Sequence, residues 1–111
     1  MSADNERRGE PRIPIEMWVE ETTGSERYYR RAGNLSRGGL RLDHTIPLPV
    51  GTNVQLTFTL PGDATPVTIA GEIVSAADQG DLRMNVKFVN ASAAALAQID
   101  AYLARAATTV S

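Results

Sequence analysis

Alternation of apolar and polar side chains with a period of two recurs along most of this chain, which is the pattern of strands that are buried on one face only. In "NVQLTFTL" (residues 53–60), Val54, Leu56, Phe58 and Leu60 share a face. "IPIEMWVEE" (13–21) sets Ile13, Ile15, Met17 and Val19 against Pro14, Glu16, Trp18 and Glu20. "VTIAGEIVSA" (67–76) aligns Val67, Ile69, Gly71 and Ile73, with Gly71 expected to mark a bend or bulge. "LRMNVKFV" (82–89) aligns Leu82, Met84, Val86 and Phe88.

Two shorter segments complete the set. "TTGSE" (22–26) reads as a turn that makes "RYYRRAG" (27–33) the returning strand of a hairpin, and "LRLD" (40–43) resumes the alternation. Between them "NLSRGG" (34–39) reads as a break, because Asn, Ser and Gly favour turns and left-handed backbone. "TIPLPVG", "PGDATP" and "DQGD" read as further connections. About six strands joined by short turns predict a mainly β fold, a small antiparallel barrel or sandwich. The period then changes. In "ASAAALAQIDAYLARAA" (91–107), Leu96, Ile99, Leu103 and Ala106 recur at spacings of three and four, an amphipathic helix that Ser92 can cap without a capping-box partner. Such a helix is expected to cover a barrel opening or face.

A chain of 111 residues supports one modest core. The expected organisation is an N-terminal arginine-bearing segment, 1–12, flexible because Gly9 and Pro11 interrupt it, followed by a single domain over 13–107. No apolar run reaches the roughly 18 residues of a membrane span, and "MSADNERRGE" lacks the apolar stretch of an export signal, so a cytoplasmic location without membrane insertion is expected. The chain has no cysteine, and His44 is its one histidine, so neither a metal site nor a triad or thiol nucleophile is expected; the chain reads as a non-enzyme without a cofactor. Trp18 falls on the polar side of its strand, where it either marks a partner-binding patch or packs under the helix or a loop, and the latter is expected. "YYRR" (28–31) is expected to serve cross-strand pairing.

The cations are unusual in kind and place. Lys87 is the one lysine, and eight of the ten arginines lie in the first 41 positions, where seven acids reduce the formal charge to +1. That is too weak a field for a protein living on polymeric nucleic acid. It suits arginines placed for geometry, since a planar guanidinium grips a phosphate or a guanine O6/N7 edge with two hydrogen bonds.

Two motifs organise these residues. Arg8 and Arg12 form an RxxxR pair ahead of the first strand, and Asn34, Ser36 and Gly39 form an (Asp/Asn)-x-Ser-x-x-Gly turn. With "GGLRLD", "LPVGTNVQLTFTLPG" and "EIV…MNVKFV" around them, they resemble the PilZ domain, the bacterial receptor module for cyclic di-GMP, over roughly residues 6 to 105. The resemblance implies a six-stranded antiparallel β-barrel with a C-terminal helix and cyclic di-GMP as ligand. By resemblance, Arg8 and Arg12 bind guanine and phosphate, Asn34 and Ser36 hold the base and neighbouring groups, Gly38 frees the turn and Gly39 shapes the floor. Arg7 is then placed to stack on an outer guanine of an intercalated ligand pair, and Arg37 either adds charge near the ligand or is solvated. Many relatives have glycine where this chain has Asn85, which is expected on the face opposite Met84 and Val86. The function implied is an adaptor that reports second-messenger level to an unidentified protein partner, with motility, pili or exopolysaccharide as output. The alternative is an interaction adaptor of the same fold that binds no nucleotide.

Overall fold

Val54, Leu56 and Phe58 are buried and the residues between them face outward, so β4 (Asn53–Phe58) obeys the alternation of its sequence. The same holds along β1 (Ile13–Thr23), β5 (Val67–Ala76) and β6 (Arg83–Val89) in the computed structural model, which describes residues 12–43, 48–76 and 83–110, whereas β2 (Glu26–Ser36) and β3 (Gly39–Asp43) each bury two consecutive residues. All six strands pair antiparallel and close in the order β1-β2-β3-β6-β5-β4, because β1 pairs with β4 (Val19 opposite Phe58) as well as with β2. Closure leaves no free sheet edge to template pairing with another chain. The inward residues form one core that includes Val19, Leu35, Leu40, Leu42, Leu56, Ile73 and Met84, with the Phe58 and Phe88 rings stacked 6.4 Å apart.

The β1–β2 loop is only Gly24 and Ser25, shorter than "TTGSE" suggests, and Gly24 takes φ +60°, the positive φ that two-residue hairpin loops require. Gly71 does not mark the expected bend or bulge. The irregularity in the β5–β6 ladder lies between Ile73 and Ser75, and Gly71 is instead a packing position, where a Cβ would meet Val86 Cγ1 at 2.6 Å.

Helix α1 (Ala93–Val110) runs past its expected end at residue 107. Ser92 does cap it, its Oγ accepting the Ala95 N–H at 3.0 Å. The buried stripe is rotated from the expected one: Ala95 and Ile99 are buried with Tyr102 and Leu103 packed beside them, whereas Leu96 and Ala106 are only half-buried. The helix packs on β5 and β1, and two polar ties fix it to the β4–β5 connection: Gln98 Nε2 donates to Thr65 O at 3.1 Å, and Arg105 Nη2 lies 3.3 Å from Asp63 Oδ1. No helix among the described residues is long and apolar enough to cross a membrane.

One interior feature escaped the sequence reading. Glu21 continues the inward face of β1 and is fully buried; Arg30 Nε donates to its Oε1, while Oε2 finds no partner among the described residues. The Arg30 guanidinium also lies 4.7 Å from the centre of the Tyr28 ring. Trp18 is the opposite case. It does not pack under the helix or a loop but stands 66% exposed on the outer face of β1.

Candidate functional site

Asn34 owes its outward position to a bulge. Along β2, Ala32 faces the core, and strict alternation would turn Asn34 inward as well and Leu35 outward. Gly33 is an extra residue between the pairs Ala32–Leu42 and Asn34–Arg41 of the β2–β3 ladder, and it resets the phase. Leu35 is therefore fully buried, and Asn34 stands on the outer surface opposite Pro14 of β1. On its other side, two residues of β1, Ile15 and Glu16, are set against this one glycine. A Cβ at Gly33 would collide with the end of the Asp43 side chain, which Arg41 holds through Nε–Oδ1 (2.6 Å) and Nη2–Oδ2 (3.1 Å) bonds.

"NLSRGG" is not a break. Strand β2 continues through Ser36, β3 begins at Gly39, and only Arg37 and Gly38 turn the chain. Nor are its glycines left-handed: among the described residues, positive φ occurs at Gly24, Gly51, Gly62 and Asn90. The turn is held instead by hydrogen bonds. Buried Ser36 accepts the Gly38 N–H and donates to Gly39 O, both at 3.3 Å, and Phe88 N of β6 donates to Gly38 O at 2.8 Å. Gly39 has a structural reason of its own, since a Cβ there would strike the carbonyl oxygen of Val86, a backbone atom of β6.

Arg12, just ahead of β1, donates from Nη1 to Asn34 Oδ1 at 3.4 Å, so the C-terminal residue of the RxxxR pair meets the first residue of the turn motif. Arg7 and Arg8 lie outside the described residues, as does His44. Arg37, its side chain 56% exposed, pairs with Asp100 of α1 at 3.0 Å. Asn85 is on the outer face as expected and donates to Ser75 Oγ at 2.7 Å.

Beside the Arg12–Asn34 contact opens a cavity of about 450 Å³, lined by Pro14, Ile15, Glu16, Arg31, Gly33 and Asp43 among others. That is within the roughly 300–1,000 Å³ of small-molecule sites. Arg31 is bonded to Glu16 at 3.0 Å across its wall. The site therefore offers guanidinium donors (Arg12, Arg31) and carboxylate or amide acceptors (Glu16, Asp43, Asn34) within one outer face. Donors of this kind suit phosphate and the O6/N7 edge of guanine, and the acceptors suit its N–H groups. The sequence reading missed Gly33, Asp43, Arg31 and Glu16; a glycine interrupting a strand pattern immediately before Asn34 was the one available sign.

The chain is thus a closed six-stranded antiparallel barrel with a C-terminal helix and a mixed arginine–amide–carboxylate outer face. The chain belongs to the PilZ domain family, whose sequence model matches residues 6–105. No curated protein matches. Solved structures with the same fold include the Bacillus subtilis inhibitor of motility MotI/DgrA (TM-score 0.75, 16% identity, 89% of this chain covered). They also include the PilZ domain of Escherichia coli YcgR with c-di-GMP (TM-score 0.72, 18% identity, 94% of each chain). A third is the PilZ domain of CeSA from a cellulose-synthesising bacterium (TM-score 0.64, 21% identity, 81% of this chain and 91% of that one). The chain spans half the length of the MotI/DgrA chain.

Proposed function

We propose that this chain is a cyclic di-GMP receptor that passes ligand occupancy to a partner protein. The observation that carries the reading is the Arg12–Asn34 contact at 3.4 Å, which joins the two motifs on one face beside a cavity whose donors and acceptors complement guanine and phosphate. The neighbouring folds add support, since one of them is described with c-di-GMP. Arg8 and Arg12 take the guanine edge and phosphate, Asn34 the base, and Arg7 stacks on an outer guanine of a ligand pair. Ser36, Gly38 and Gly39 form the turn that sets Asn34. The chain acts in the cytoplasm as an adaptor and catalyses nothing itself. Ligand gathers the arginine segment against the barrel and so alters the surface that a partner meets; the partner responds only as far as it discriminates the two states.

Calorimetric titration of cyclic di-GMP into the protein, beside Arg8→Ala and Arg12→Ala variants and with GTP as control, tests this. Loss of a charged hydrogen-bond partner costs about 1.5–3 kcal/mol, roughly ten- to a hundred-fold in affinity. Saturable binding weakened in this way supports the receptor, and the stoichiometry reads one ligand or two. Absence of heat and of competition at high ligand concentration rejects it in favour of the nucleotide-independent adaptor.

A further inference from the structure

The outer face of the β1–β2 hairpin carries two aromatic side chains that the barrel does not use, Trp18 and Tyr29, exposed by 66% and 68%. They occupy successive outward-facing rungs of the ladder, Trp18 opposite Arg31 and Glu20 opposite Tyr29, with the inward pair Val19–Arg30 between them. The charges around them are sorted by strand. Acids stand on β1 (Glu16, Glu20) and arginines on β2 (Arg27, Arg31), paired across the hairpin as Arg31–Glu16 at 3.0 Å and Arg27–Glu20 at 2.7 Å.

This arrangement has no net charge, so it offers no field to a nucleic acid or to a strongly acidic or basic protein. It is, however, complementary to itself. A two-fold axis along the hairpin lays β1 of one copy over β2 of the other. The acid row then meets the arginine row twice, Trp18 comes over Arg31 of the second copy, and Glu20 over Tyr29 of the second copy. We propose that this face is the interface between two copies of the chain in an isologous dimer. The aromatic anchors and arginines are of the kind that dominate interface energetics, with Trp18 on a guanidinium face adding a cation–π contact. Eleven-residue strands run for roughly 35 Å at about 3.3 Å per residue, so the face offers on the order of 500 Å² per copy, the size of a reversible interface rather than a permanent one.

Analytical ultracentrifugation over a wide concentration range tests the proposal without any nucleotide, so its outcome is independent of the receptor reading. The wild-type chain is expected to show a monomer–dimer equilibrium, with the emission of Trp18, its one tryptophan, shifting to the blue as dimer forms. Trp18→Ala is expected to raise the dissociation constant roughly tenfold or more. The double reversals E16R/E20R and R27E/R31E should each be monomeric alone, yet form a heterodimer when mixed, because each then presents one sign to the other. That recovery also shows that both variants are folded. A wild-type chain that stays monomeric up to millimolar concentration overturns the proposal, as does a dimer indifferent to Trp18→Ala or surviving in either reversal alone.

Discussion

Arg37 Nε donates to both carboxylate oxygens of Asp100, at 3.0 and 3.3 Å, and so ties the β2–β3 turn to the middle of α1, 63 residues further along the chain. Both side chains are about half exposed, so solvent screens the pair and its contribution to stability is small. Asp100→Asn is expected to cost no more than about 1 kcal/mol in denaturant unfolding, with the difference fading at high salt. A larger loss would mean that the pair holds the helix in place rather than decorating it.

Gly39 and Gly33 both exclude a side chain, but what the added methyl meets differs. At Gly39 it is a backbone carbonyl of β6, which can move only with the strand; at Gly33 it is the end of the Asp43 side chain. Gly39→Ala is therefore expected to lower stability by about 1–3 kcal/mol or more, whereas Gly33→Ala should cost less, displacing Asp43 from Arg41. Thermal melts of the two variants check the order, and reversal would refute the assignment of Gly39 to strand packing.

The Glu21–Arg30 pair lies in the barrel interior, and half of the carboxylate is without a partner among the described residues. Arg30→Met leaves Glu21 buried and uncompensated, a loss of about 3–5 kcal/mol. The double variant E21L/R30M should recover most of it, because apolar replacements of both partners are often neutral. Equal destabilisation of the single and double variants in urea would show that the charge itself is not the cost.

Ser92→Ala removes the acceptor for the Ala95 N–H and is expected to destabilise by about 0.5–2 kcal/mol, with Ser92→Gly costing only a few tenths. Far-ultraviolet circular dichroism of α1 during unfolding distinguishes the two.

The Tyr28 hydroxyl donates to Glu26 Oε1, and this bond holds its pKa above the usual phenol value, with slight burial and the Glu26 charge acting in the same direction. The folded pKa is raised, so the stabilisation is present below the unfolded phenol pKa and is lost as pH rises through the folded one. Ultraviolet titration should resolve one of the three tyrosines ionising above an ordinary phenol. In Glu26→Gln that ionisation should move down.

How much of this was legible in the sequence differs by element. The alternation in "NVQLTFTL" needs only the chemistry of neighbouring residues, and it names Val54, Leu56 and Phe58 as core without reference to any other strand. The motif residues Arg12 and Asn34 were legible as types, as was the Ser92 cap, because each is a short-range pattern. Trp18 was misread because exposure depends on what lies above a face, and no local pattern reports that α1 goes elsewhere. Half of the α1 stripe was legible, Ile99 and Leu103, but Ala95 and Tyr102 rather than Leu96 and Ala106 complete it, because which side of an alanine-rich helix turns inward is chosen by the barrel end it meets.

By itself, then, the sequence determined the number of strands, the inward face of most of them, the terminal helix and the residue types of the site, all set by periodicity and local turn chemistry. Tertiary structure alone decided that Gly33 bulges so that Asn34 faces out and Leu35 in, and that Gly39 must clear Val86. It also decided that Arg37 pairs with Asp100 of α1, and that Glu21 and Arg30 meet inside the barrel. Each of these is a matter of register between strands or of contact between distant segments, and register is fixed only when the barrel closes and all six strands share one core.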